Sequence, residues 1–80
     1  MKISEQELKK IISKALNVKL SQVSDKLKSN DIEEWDSLGQ LSIISALDKR
    51  LKGKINLSNT AELNSYKAIK NFLKKKSSMK

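Results

Sequence analysis

Residues 33–51 read EEWDSLGQLSIISALDKRL, and this stretch decides the fold of the 80-residue chain. Wound at about 100° per residue, Ile43, Ile44, Leu47 and Leu51 fall within roughly 100° of one another, the width of a core-facing stripe. The spacing predicts a helix that begins near Ser37 and ends by Gly53, where Lys49, Arg50 and Lys52 suit the negative helix end. Leu38 and Leu41 fall on the opposite side, in the sector of Ser42, Ser45, Asp48 and Lys49. This helix is therefore expected to bury one face and to expose a small apolar patch within one turn of Ser37. Single exposed leucines are ordinary, but two beside a helix-start serine suit a docking surface.

Two roles compete for Ser37. Ser-Leu-Gly-Gln has the S-x-x-Q form of a capping box, in which the hydroxyl serves the backbone. Asp36 is an equally good cap one residue earlier. If Asp36 caps, Ser37 becomes the first helical residue, with its hydroxyl turned outward at a helix tip whose unpaired N–H groups and positive dipole favour a phosphate ester. Gly39 in the first turn costs about 1 kcal/mol of helix propensity relative to alanine. It is either a tolerated imperfection or a place where something lies close to the backbone. Trp35 reads first as packing of the loop end.

Outward from this helix, Ser4-Glu5-Gln6-Glu7 fits a capping box, and Leu8, Ile11, Ile12, Ala15 and Leu16 follow at helical spacing, giving a first helix over 4–16. Residues 17–35 lose that period. They are expected to form a long surface loop pinned by Val18, Leu20, Val23, Leu27 and Ile32, and loops of this length are often functional. Ser58 to Leu63 reads as a short helix, and Lys54-Ile55-Asn56-Leu57 is the one brief strand-like alternation. Ser65 reads as the cap of a last helix whose stripe is Tyr66, Ile69, Phe72 and Leu73. The expected architecture is all-α, a small four-helix bundle of three longer helices and one short, with the long loop between helices one and two. A single domain over 1–75 is followed by a basic, disordered tail at 76–80.

Composition narrows the chemistry. The chain has no cysteine and no histidine, so thiol chemistry, the usual zinc sites and imidazole acid–base catalysis are outside its own means. The opening MKISEQELKK carries charges throughout, which argues against a signal peptide or membrane span and for a cytoplasmic protein. The net charge of +8 is unevenly spread. Residues 1–37 hold seven lysines against seven acids, whereas after Ser37 ten lysines or arginines face only Asp48 and Glu62. Asp31, Glu33, Glu34 and Asp36 form the one local acidic cluster, read either as a solvated loop edge or as an attraction for a basic partner. No surrounding pocket marks these carboxylates as a hydrolase pair.

Asp36-Ser37-Leu38, set near mid-chain in this helical order, resembles the D-S-L attachment motif of acyl carrier proteins and the related peptidyl carrier domains. The likeness extends over about residues 3–75: opening amphipathic helix, long loop, the LGQLSIISALDKRL segment, a short third element and the Tyr66 to Leu73 helix. The resemblance implies a non-catalytic carrier. It implies that a phosphopantetheinyl transferase joins 4′-phosphopantetheine from coenzyme A to Ser37, with Asp36, Leu38 and Gly39 around the attachment point. The arm's thiol then carries acyl or aminoacyl groups as thioesters, which fits a chain without cysteine. Leu38, Leu41, Ser42 and Ser45 would meet partner enzymes: the transferase, an acyl- or aminoacyl-loading ligase, and a downstream acyltransferase or synthase. The resemblance implies a monomer that neither binds nucleic acid nor inserts stably into membrane. Fatty-acid carriers are usually acidic along the second helix; Ser42, Ser45, Lys49 and Arg50 depart from that pattern, and like charges would slow encounter with a basic docking patch. The W-D-S-L-G form with Trp35 resembles specialised stand-alone carriers of secondary, polysaccharide or cell-envelope pathways. The alternative is a small basic helical nucleic-acid-binding module using Lys67, Lys70, Lys74, Lys75 and Lys76, although the chain's single arginine supplies little for base reading.

Overall fold

The computed structural model describes residues 2–51, 62–76 and 79. Among these the regular structure is helical, with no strand: α1 (Glu5–Leu16), a 3₁₀ turn (Leu20–Gln22), α2 (Ser37–Arg50) and α3 (Tyr66–Lys75). The strand-like run 54–57, Gly53 and residues 58–61 of the expected short helix lie outside the described residues. Three α-helices, rather than four, stand among those described.

Each helix starts on a side chain that satisfies an otherwise unpaired amide. Ser4 Oγ accepts from the Glu7 N–H at 3.1 Å, Asp36 Oδ1 from the Gly39 N–H at 2.9 Å, and Ser65 Oγ from the Ala68 N–H at 3.0 Å. At the far end of α1, Asn17 adopts the left-handed conformation (φ 57°) and its N–H and that of Val18 return to the last-turn carbonyls of Lys14 and Ser13. Lys49 and Arg50 occupy the last turn of α2, and Leu51 caps it.

The predicted stripes face inward. Leu8, Ile12 and Leu16 of α1, Ile43, Ile44 and Leu47 of α2 with Leu51, and Tyr66, Ile69 and Leu73 of α3 are all buried in one cluster; Ile11, Ala15 and Phe72 are partly buried against it. Burying each large apolar side chain contributes about 1.5–3 kcal/mol relative to exposure. Glu7 near the start of α1 binds Arg50 at the end of α2, while Gly39 near the start of α2 packs on Leu16 at the end of α1. These two helices are therefore antiparallel. Glu5 pairs with Lys70, and Lys9 lies over the Tyr66 ring, so α3 also runs antiparallel to α1.

The 17–35 segment is tied down at several points. Val23 and Leu27 are buried and Val18 and Ile32 half-buried. Leu20 departs from the expectation: Val23, which ends the 3₁₀ turn, takes the inward position and leaves Leu20 exposed. The loop's second half is stitched to the chain before α3 by Tyr66 N–H to Leu27 O (2.9 Å) and Ser29 N–H to Asn64 O (2.8 Å). At the other terminus, Met79 lies within the stretch expected to fray, yet it is only 7% exposed and forms a parallel bridge with the fully buried Ile3. Ile3 precedes α1 and belongs to the same buried cluster as Met79, whose flexible thioether suits an irregular gap.

Candidate functional site

The residues around the start of α2 are positioned by the loop that precedes them. Asn30 sits in the left-handed region (φ 70°) and donates its N–H to the Trp35 carbonyl at 3.0 Å. Trp35 N–H donates to Ile32 O (3.1 Å), and the Asp31 carboxylate accepts the Lys28 N–H (3.0 Å). This tight turn delivers Trp35 into the core with no exposure. A buried indole N–H needs an acceptor. Gln40 provides it: Trp35 Nε1–H donates to Gln40 Oε1 (2.7 Å), and Gln40 Nε2 donates to the Leu63 carbonyl (2.6 Å). One amide thus joins the loop end, α2 and the segment leading to α3.

That arrangement settles the competition over the helix start. Asp36 is the N-cap, in extended conformation, and Ser37 is the first residue of α2. Gln40 is engaged with Trp35 and Leu63, so its amide joins the indole and not a Ser37-centred capping box. Ser37 is exposed, and among the described residues its hydroxyl makes no hydrogen bond. An unengaged hydroxyl at the electropositive tip of a 14-residue helix is a position where an esterified anion is favoured.

Gly39 answers a different need. It is buried, and a Cβ placed on it would fall well inside van der Waals contact with the Glu34 carbonyl oxygen and 2.8 Å from Leu16 Cδ2. The close approach that glycine permits here is used by the chain's own loop, which reaches α2 through Glu34 and then drops Trp35 into the core. The space beside Gly39 is filled from within the chain, and its link to the attachment point is through the loop that sets Asp36 in place.

Leu38 is 73% and Leu41 60% exposed, the most open large apolar side chains among the described residues. With Ser42, Ser45, Ala46 and Lys49 they border a shallow depression of about 650 Å³ along the outer face of α2. A second groove, of about 410 Å³, opens directly beside Ser37 and is bordered by Ser29, Asn30, Gln40, Leu41 and Asn64. Sequence reasoning missed this groove's polar side. Ser29 and Asn64 meet only because the loop pairs with the segment before α3.

The acidic cluster divides. Asp31 and Asp36 are employed by the backbone, whereas Glu33 and Glu34 are exposed. Among the described residues no three acidic side chains converge on a metal position. The lysines of α3 and its C-cap are spread: Lys70 is paired with Glu5, the capping Lys76 lies 5.6 Å from the Phe72 ring centre, and Lys67, Lys74 and Lys75 are exposed. No described helix is long and apolar enough to cross a membrane.

The one buried side-chain nitrogen or oxygen without a hydrogen-bond partner among the described residues is the Tyr66 hydroxyl. Burial, with Glu5 and then Asp25 adding negative potential, pushes the phenol up to about 12. It lies near α1, in the region of Lys9 and Asp25, which pair at 3.0 Å. No family model matches the chain, and no curated protein matches it.

Proposed function

We propose that this chain is a carrier protein of the phosphopantetheine-binding kind and that Ser37 is its attachment residue. The observation that carries the reading is the division of labour at the start of α2. Asp36 takes the capping role, which leaves the neighbouring hydroxyl exposed and unengaged. The residues present fit a 4′-phosphopantetheine ester: a hydroxyl that a transferase can reach, a helix tip that favours the ester's negative charge, and a carboxylate already committed to the Gly39 amide. When attached, such an arm supplies a terminal thiol at which acyl or aminoacyl groups are held as thioesters.

The chain's own residues do the presenting. Asp36 and the Asn30–Trp35 turn fix the direction in which Ser37 faces. Leu38 and Leu41 offer apolar contact area to partner enzymes, with Ser42 and Ser45 as hydroxyl neighbours and Lys49 in place of a carboxylate. A partner suited to this face has no strongly basic docking patch, since like charges slow encounter. This favours a specialised pathway over bulk fatty acid synthesis. The expected partners are a phosphopantetheinyl transferase, a loading ligase and a downstream acyltransferase or synthase, met by a cytoplasmic monomer. The proposal carries with it a fourth, short helix within 58–63, completing the bundle.

Incubation with coenzyme A, magnesium and a promiscuous phosphopantetheinyl transferase, followed by intact mass measurement, tests the reading. One phosphopantetheine is expected on the parent chain and none on Ser37→Ala. An unmodified parent, or equal modification of the variant, contradicts it.

A further inference from the structure

The span from Trp35 to Gln40 is a closed staple with Ser37 inside it. Its two ends are joined by the Trp35 indole N–H, which donates to Gln40 Oε1 at 2.7 Å. Within the span the Gln40 N–H returns to the Asp36 carbonyl at 2.8 Å and the Gly39 N–H to the Asp36 carboxylate at 2.9 Å. Those two bonds are what a capped helix start makes anywhere. The indole bond differs, because it ties the residue before the cap to the end of the first turn of α2 and so fixes the angle at which the chain enters the helix. Apolar packing of the ring holds it in the core without direction, whereas a hydrogen bond sets its register.

The residue type follows from the two partners. An indole N–H donates and a carbonyl accepts, and a glutamine amide serves both. The bond from Gln40 Nε2 to the Leu63 carbonyl at 2.6 Å dictates which way round the amide sits and turns Oε1 toward the indole. Trp35 and Leu63 are buried, so water does not readily stand in for the amide. A carboxylate at this position would still serve the indole; a thioether would serve neither.

Resting on the carrier reading, we propose that Gln40 is a positioning residue for the transfer of phosphopantetheine: through Trp35 it holds Asp36 and Ser37 in register, so that the Ser37 hydroxyl meets the transferase in one orientation. In that transfer Ser37 Oγ bonds to the arm-bearing phosphorus of coenzyme A as the same phosphorus loses its bridging oxygen to the departing nucleotide, and the hydroxyl proton leaves to a base on the transferase. An in-line displacement tolerates little error in the direction of attack. Both ends of the Gln40 amide are engaged inside the chain, so it acts through Trp35 and not by touching the transferred group.

The experiment measures kcat and KM for the full chain with a promiscuous phosphopantetheinyl transferase, together with Tm and the Trp35 indole proton resonance. Gln40→Met keeps side-chain length and helix propensity and removes both polar ends. It is expected to lower kcat about two- to tenfold, the scale of one net hydrogen bond, to leave KM to Leu38 and Leu41, and to move the indole resonance. Trp35→Phe removes the same bond from the other side and is expected to give the same fall, so the result does not hang on one variant folding. Gln40→Glu restores the acceptor alone and is expected to recover most of kcat and the parental indole shift, although the Leu63 carbonyl stays unpaired. Ile12→Val, a core change in α1 of comparable cost in stability, is expected to leave kcat as it is. Parental kcat in Gln40→Met and Trp35→Phe overturns the inference, as does a Gln40→Glu variant as slow as Gln40→Met, an Ile12→Val variant slowed equally, or an effect confined to KM. A parent chain that the transferase leaves unmodified overturns the carrier reading and this inference with it, whereas a modified parent whose variants keep its rate overturns this inference alone.

Discussion

Gly39→Ala is the substitution for which helix propensity and packing give opposite signs. Propensity alone makes alanine better by about 1 kcal/mol inside a helix. The new Cβ, however, would collide with the Glu34 carbonyl oxygen, lie 2.8 Å from Leu16 Cδ2 and sit 3.2 Å from the Glu34 carbonyl carbon. Leu16 has rotamers with which to yield. Glu34 does not, because the next residue is held by Trp35 N–H to Ile32 O, by Asn30 N–H to Trp35 O and by the indole bond to Gln40. Overpacking against an unyielding backbone costs up to about 3 kcal/mol. Loosening the indole bond adds about 0.5–1.5 kcal/mol. Set against the propensity gain, the net expectation is a loss of about 2 kcal/mol or somewhat more, a Tm lower by about 8–16 °C in a domain this small. Urea and thermal melts followed by far-UV circular dichroism and by Trp35 fluorescence measure it, and the folded variant should also show a red-shifted Trp35 emission. A variant as stable as the parent, with unchanged emission, refutes the idea that Gly39 exists to admit the Glu34–Trp35 turn.

The capping assignment predicts that Asp36→Ala costs about 0.5–2 kcal/mol, while Ser37→Ala costs less than about 1 kcal/mol. The reverse order in urea melts would return the capping role to Ser37. Tyr66 is the only tyrosine, so its ionisation is read directly by ultraviolet absorbance. An unfolded phenol ionises near 10.0 and the folded one near 12, so the folded state keeps its proton longer. The resulting stability is complete below pH 10 and is lost as pH rises through 10 to 12, because the unfolded state gives up its proton first. Tyrosinate appearing with a midpoint at 10 while Trp35 emission stays native would contradict a buried, unpartnered hydroxyl.

Much of the fold is legible from local pattern. The caps at Ser4 and Ser65, the inward stripes of all three helices and the outward turn of Leu38 and Leu41 depend on neighbours within a turn or two, where spacing determines direction, whereas local pattern left the α2 cap open between Asp36 and Ser37. What escapes pattern reading is every feature made by distant partners. Gln40 looks like the last letter of a capping box until a buried indole from the loop and a carbonyl 23 residues away claim its two ends. Gly39 looks like a lapse in a helix until the Glu34 carbonyl is seen against it. Met79 lies in a lysine-rich tail that reads as solvent-borne, yet a buried Ile3 from the other terminus draws it inward. The Tyr66 stripe position is legible, but its unsatisfied hydroxyl is not, because orphaned buried polar atoms are exceptions to the rule by which sequences are read.

The central claim concerns one oxygen atom, and fragmentation mass spectrometry of the transferase-treated protein addresses it most directly. Cleavage after Lys28 and Lys49 releases residues 29–49, which contain Ser29, Ser37, Ser42 and Ser45. All four serines border one of the two grooves, so the peptide discriminates among the alternatives that matter. The account predicts phosphopantetheine on Ser37 alone. Attachment at Ser29, Ser42 or Ser45, or a peptide recovered wholly unmodified, would contradict it.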